Sequence, residues 1–365
     1  VDFDLTEEQQ LLRDVTRDVL SRDDDIAGVT KAEPGWRREV WAQLAEVGIL
    51  GLGFDPTEAG QIEAMVVLTE IGRRLAPEPV AQAALVPGGL IAELGSEQQK
   101  EILEGVAAGD TLLAFAHAEP GARVPTTEPA ARAERSGDTW TVSGRKNPVL
   151  AGDSADTVVV TAALPEGGIG LFIVEAAATT RQAYRTFDGR RGAQLDFDAA
   201  PAEPLGDGGD AAEYVARTVI RYQSALCSEA VGAMEEALRL TTEYLTSRKQ
   251  FGVPLSKFQT LTQRAADMYV SLELARSMNF YAAMSIADGR FDPVIAARTK
   301  LQIGRSGRHI AQEAIQLHGG IGMTAEYPVG HYAARLTAID NTFGTADDQL
   351  RTLVGHVGDY GTVSL

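Results

Sequence analysis

The sequence predicts an α+β protein in three parts, and three changes of texture along the chain carry that prediction. Apolar residues recur at helical spacing from Leu5 to about Gly109. They give way at Asp110 to short β-branched runs broken by turns, and helical spacing returns from about Asp210. The expected organisation is a helical domain over residues 1–109, a middle β domain (barrel or sandwich) over 110–207 and a C-terminal four-helix bundle over 208–365. No long helix separates the expected strands, which excludes a doubly wound parallel sheet.

Taken in order, Leu11, Leu12, Val15, Val19 and Leu20 form the first apolar stripe. Thr6 and Gln9 ahead of it have capping-box spacing, in which each side chain satisfies the other residue's free N–H. Trp41, Leu44, Val47 and Leu50 mark a second helix. Val66, Val67, Ile71 and Leu75 mark a third, with Arg73 and Arg74 at its C-terminal end, where the helix dipole favours cations. Strands are expected at 112–117, 131–134, 139–142, 157–161, 170–174 and 194–198, with turns at Ser136-Gly137-Asp138 and Glu166-Gly167-Gly168. A long helix then carries Ala225, Leu226, Ala230, Ala233, Met234, Ala237, Leu238 and Leu245. A second carries Leu261, Ala265, Met268, Leu272, Ala275 and Met278. Asp292-Pro293 caps and starts a third, which Gly319-Gly320 stops, and a last helix follows Thr345.

Composition narrows the function classes. The chain has 365 residues with 33 basic and 51 acidic side chains, a formal charge of −18 that excludes a nucleic-acid footprint. No apolar run approaches the roughly 18 residues of a membrane span, and the first residues show no secretory pattern. Cys227 is the single cysteine, which removes intramolecular disulfides and multi-cysteine metal sites; a reducing cytoplasm is the expected location. The glycines at 48, 51 and 53 and at 319, 320 and 322 follow helices, so neither set forms the strand, glycine loop and helix of a dinucleotide fingerprint. The five histidines show no His-Glu-x-x-His spacing, no Gly-x-Ser-x-Gly elbow appears, and no metal ligands are expected.

Two segments carry chemistry. Arg248-Lys249-Gln250-Phe251-Gly252, followed by Phe258-Gln259, sets cations and amides beside an aromatic face, a combination suited to a nucleotide's phosphates and base. Gln316-Leu317-His318-Gly319-Gly320-Ile321-Gly322 exposes backbone N–H groups at a glycine turn. Either could be an ordinary helix end. Together with Phe3-Asp4-Leu5-Thr6-Glu7-Glu8-Gln9, Ala118-Glu119-Pro120-Gly121, Val142-Ser143-Gly144-Arg145-Lys146 and Met323-Thr324, and in this order, they resemble the acyl-CoA dehydrogenase family over nearly the whole chain. The resemblance implies that family's fold, an FAD cofactor held between two subunits, and oxidation of an acyl-CoA to its α,β-enoyl-CoA with electrons passed to a separate acceptor. It assigns the adenosine and pyrophosphate side of a neighbour's FAD to Arg248, Phe251, Gln259, Gln316, Leu317, Gly319 and Gly320.

The chain also departs from the family. The family takes the α-proton with a glutamate, commonly in a Tyr-Glu-Gly-Thr segment; here the matching segment is Thr342-Phe343-Gly344-Thr345. Phenylalanine cannot accept a proton. Some members carry the glutamate on the long helix, about 29 positions before the motif phenylalanine, and counting back from Phe251 gives Tyr222. A tyrosine of ordinary pKa near ~10 is a poor base at neutral pH. The next position, often an arginine, is Gln223, with Arg221 close by. Where Thr-Glu-Pro, Gly-Ser-Asp and Trp-Ile-Thr would line the flavin, this chain has Ala118-Glu119-Pro120, Arg123-Val124-Pro125 and Pro148-Val149-Leu150.

The losses fall on the chain's own flavin and thioester pocket, whereas the segments that would serve a neighbour's FAD remain. The expectation is a subunit without a catalytic residue of its own, inactive alone, paired with a homologous catalytic subunit as α2β2. The resemblance extends to actinobacterial enzymes of that build that act on steroid side-chain CoA thioesters. Two alternatives stay open: a self-sufficient enzyme with a displaced base such as Asp340, Asp347 or Glu229, and a flavin-free scaffold.

Overall fold

A computed structural model describes residues 5–21, 26–55 and 60–359. Phe3 and Asp4 of the opening signature lie outside them. The N-terminal part is helical: α1 (Glu7–Leu20), α2 (Ile26–Lys31), α3 (Arg38–Glu46), α4 (Gln61–Arg74), α5 (Val86–Leu94), α6 (Glu97–Lys100) and α7 (Ile102–Ala107). Thr6 and Gln9 form the expected capping box at α1, and Arg73 and Arg74 end α4 as expected. A single turn at Ile49–Gly51 stands where the second expected helix was to continue; Gly48, at φ +78, stops α3 before it.

Seven strands follow: β1 (Leu113–Ala116), β2 (Arg132–Ser136), β3 (Thr139–Leu150), β4 (Thr157–Ala163), β5 (Ile169–Glu175), β6 (Thr180–Arg185) and β7 (Arg191–Pro204). The pairings β4 with β5, β5 with β7, β7 with β3, β3 with β2 and β2 with β4 return to their start, so five strands close a barrel. This decides between the barrel and the sandwich. β1 adds in parallel to β4, and β6 adds to β7. Val142, Val158, Val160, Phe172, Val174, Leu195 and Phe197 fill the interior.

The C-terminal part holds α8 (Ala212–Ser247), a two-residue hairpin of β8 (Lys249–Gln250) and β9 (Val253–Pro254), α9 (Gln259–Ala287), α10 (Pro293–His318), α11 (Val329–Asn341) and α12 (Ala346–Gly355). The four expected helices are present, and α11 is a fifth. Asp292 caps α10 by accepting from Val294 and Ile295 N–H, and Gly319 stops that helix at φ +66 and ψ −140, a conformation open essentially to glycine alone.

The described residues fall into two compact units. One comprises Leu5–Val67 with Ala76–Tyr222, so the N-terminal helices and the barrel belong together; the other comprises Leu68–Leu75 with the chain from Gln223 onward. In the second unit α10 packs against α9, α11 and α12. The last turns of α4 meet α8 through two glycines. A Cβ at Gly72 would lie 1.8 Å from the Glu229 carbonyl oxygen, and one at Gly232 would lie 1.8 Å from the Thr69 oxygen. Two backbones therefore touch where any side chain would separate them.

Candidate functional site

At one end of the helical unit, α8 runs out at Ser247 and the chain turns through the β8–β9 hairpin into α9. Arg248 N–H donates to the Tyr244 carbonyl at 2.8 Å, and Leu255 N–H returns to the Arg248 carbonyl at 2.8 Å, which closes the hairpin. At its tip Phe251 holds φ +52, in the left-handed region that a non-glycine residue rarely adopts, and its side chain is 92% exposed. Its one ring contact among the described residues is edge-on to Phe258, with centroids 6.2 Å apart. Arg248 and Gln259 are exposed, and the Arg248 guanidinium forms no ion pair among the described residues. Water disfavours the exposed ring, and a ring and a solvated cation on one short hairpin offer a nucleotide's base and phosphates a face and a charge.

The second predicted segment ends at the same place. α9 and α10 are antiparallel neighbours: Arg264, one turn beyond Gln259, pairs with Glu313 at 2.5 Å, one turn before Gln316. The ring of His318 packs on Tyr244 with centroids 4.5 Å apart, which ties the end of α10 to the last turns of α8. Gln316, Gly319 and Gly320 are exposed, and a Cβ at either glycine would meet open space. Leu317 is buried and faces the core, so its side chain anchors the turn. Six of the seven predicted cofactor residues thus share one exposed end, and the seventh holds that end in place. Sequence reasoning passed over Tyr244 and Tyr327, which pack about His318; their signal was an aromatic residue one turn from each motif.

The Phe343 segment lies elsewhere. It is fixed beside Lys300, sixteen residues before Gln316 and so about 24 Å away along α10. Lys300 is 0% exposed, and its three N–H groups donate to the carbonyls of Ile339 (2.9 Å), Asp340 (3.0 Å) and Gly344 (3.0 Å). Burial lowers its pKa. The Phe343 carbonyl accepts from the side-chain amides of Gln223 (3.1 Å) and Gln349 (3.2 Å), and Phe343 holds φ +56. An ammonium and two amides therefore pin a strained loop whose side chain is a hydrocarbon.

The sequence and the fold both have counterparts among known proteins. The acyl-CoA dehydrogenase N-terminal domain matches residues 6–110, and the acyl-CoA dehydrogenase C-terminal domain matches residues 214–357. The chain belongs to the acyl-CoA dehydrogenase family. It is 31% identical to the human mitochondrial short-chain specific acyl-CoA dehydrogenase, over 87% of this chain and 82% of that one. It is 28% identical to the short-chain specific enzyme of Clostridium acetobutylicum, over 98% and 100%. Among solved structures it resembles the Tcur3481–Tcur3483 steroid ACAD (30% identity, TM-score 0.89, covering 97% of this chain and 98% of that one). It also resembles the ChsE4–ChsE5 complex of Mycobacterium tuberculosis (25% identity, TM-score 0.89, covering 99% and 100%). FAD is the cofactor of this acyl-CoA dehydrogenase fold.

Of the three acids named as displaced bases, Glu229 and Asp340 are engaged by other groups. The Glu229 carboxylate is 2% exposed and bound to Arg335 at 2.5 Å. Asp340 accepts from the Ala346 N–H at 3.0 Å and faces Arg308, while Asp347 is exposed in the first turn of α12. Tyr222 is buried at 3% exposure, and Arg221 is committed to Glu93 at 2.5 Å. In the barrel unit, the buried Lys146 and the partly buried Glu119 of the family signatures form an ion pair at 2.8 Å. Glu119 also accepts from Ala130 and Ala131 N–H, so the pair latches the base of the 120–130 loop. Ala118 and Pro148 bring neither the hydroxyl nor the indole expected of a flavin wall.

Proposed function

We propose that this chain is the non-catalytic subunit of a heteromeric, FAD-dependent acyl-CoA dehydrogenase. It supplies the adenosine and pyrophosphate side of an FAD site whose flavin wall and base belong to a homologous partner in an α2β2 assembly. The single observation carrying this reading is Phe343: a loop held by Lys300, Gln223 and Gln349 that presents no group able to take a proton. The exposed Arg248, Phe251, Gln259, Gln316, Gly319 and Gly320 support the other half. The chemistry a bound FAD supplies is two-electron oxidation of the acyl chain. This chain's part is to bind: Arg248 at phosphate oxygens, Phe251 against the adenosine, Gln259 and Gln316 as amide partners, and the glycines as open backbone. Likeness to two solved heteromeric complexes, one named a steroid ACAD, supports a steroid CoA thioester as the partner's substrate. The assembly leaves its electrons with a separate acceptor and works in the cytoplasm.

Arg248→Ala in the co-expressed assembly tests the assignment. Loss of a charge-assisted phosphate contact, about 1.5–3 kcal/mol, is expected to weaken FAD about 10- to 150-fold. Unchanged FAD affinity would place the coenzyme elsewhere.

A further inference from the structure

The two coenzyme-facing segments are separate in sequence, and one aromatic cluster ties them together. Tyr244 lies one turn before Arg248 and gives its carbonyl to the Arg248 N–H. His318 sits between Gln316 and the glycines, is 3% exposed, and has its ring centroid 4.5 Å from Tyr244 and 4.8 Å from Tyr327. Tyr327 completes the triangle edge-on to Tyr244 at 6.3 Å.

Hydrogen bonding fixes how this cluster works. The His318 Nδ1 lies 2.7 Å from the Ala314 carbonyl oxygen. A carbonyl oxygen only accepts, so Nδ1 carries the hydrogen and Nε2 offers a lone pair. The Tyr327 hydroxyl lies 3.2 Å from Nε2 and therefore donates to it. Burial lowers the His318 pKa against the opposing pull of the Ala314 and Leu240 carbonyls, a shift toward the neutral ring that this arrangement uses. Behind the ring, a Cβ at Gly322 would come within 3.0 Å of the His318 Cβ and of the Ile315 carbonyl oxygen, so the turn folds tightly onto His318.

We infer that Tyr327 is a positioning residue for the coenzyme: by fixing the His318 ring, it sets the Gln316–Gly320 turn in register with Arg248. The inference rests on the reading that these segments hold FAD. Tyr327 need not touch FAD; its hydroxyl acts through His318.

The test is FAD affinity of the assembled flavoprotein after deflavination, followed by flavin fluorescence, with melting temperature measured beside it. Tyr327→Phe removes only the hydroxyl and keeps the ring packing. It is expected to weaken FAD about fivefold with little change in melting temperature. Combined with Gln316→Ala it should add less than its own fivefold, because the contact it positions is already gone. A purely structural hydroxyl would lower the melting temperature and leave FAD affinity unchanged, which overturns the inference. Full multiplicative loss with Gln316→Ala also overturns it, since the hydroxyl would then act independently. If Arg248→Ala, Gln316→Ala and Tyr327→Phe all leave affinity unchanged, the coenzyme reading itself fails.

Discussion

Replacing Lys300 with methionine tests how the Phe343 loop is held. Methionine keeps an unbranched apolar stem in the buried channel and removes all three donors. Each hydrogen bond from a charged donor contributes about 1.5–3 kcal/mol, so three give roughly 5–9 kcal/mol gross. Against this stands the cost of burying an ammonium, several kcal/mol, which the substitution returns. The balance is a net destabilisation of about 3 kcal/mol. At about 2–4 °C per kcal/mol, the helical unit should melt about 6–12 °C lower. Two assays read this: calorimetry for the melting temperature, and amide hydrogen exchange for protection at 342–345, which should fall. A shift under about 2 °C with unchanged protection would refute the argument that this ammonium tethers the loop.

Three further outcomes follow from the same geometry. Burial, reinforced by Lys146, pushes the His117 imidazole down to about 4 from 6.5. The unfolded chain therefore binds a proton that the folded chain refuses between those values, so stability is full above pH 6.5 and falls by up to about 3 kcal/mol as pH drops toward 4; His117→Phe should flatten that slope in pH-dependent melting curves, and an unchanged slope would assign it to other groups. Gly232→Ala places a methyl against the Thr69 carbonyl and should cost at least about 1–3 kcal/mol in urea unfolding, whereas alanine at the open Gly121 turn should show strain from its positive φ without any clash; equal costs would deny the close helix crossing. On the proposed division of labour, in which a partner supplies the flavin wall, Phe343→Glu should give no acyl-CoA desaturation by the isolated chain; measurable turnover would show that the glutamate alone was missing.

Much of the architecture was legible because periodicity and caps act locally. The Thr6–Gln9 box, the Asp292 cap and the Gly319 stop each depend on a few neighbouring residues and appear where the sequence puts them. α11 was harder to read: Val329, Tyr332, Leu336 and Ile339 have helical spacing, but the stretch is short and lies between two motifs that drew the reading. β6 was missed because its residues, TRQAYR, are mostly polar and exposed; pairing with β7 makes it a strand, and that is a long-range fact. The candidate site divides the same way. Motifs singled out Arg248, Phe251 and Gln316 as candidates, but Lys300 reads in sequence as one more helix-surface cation, and only folding brings three carbonyls to it. Tyr244 and Tyr327 lie 83 positions apart, and only folding brings both rings against His318 and against each other.

The most direct test is the flavin content and acyl-CoA turnover of the purified chain, alone and after co-expression with its homologous partner. We expect the chain alone to hold no stoichiometric FAD and to desaturate no acyl-CoA, and the co-expressed assembly to carry one FAD per pair of unlike chains and to be active. A homomeric preparation with one FAD per chain and steady turnover would contradict the division of labour proposed for this fold.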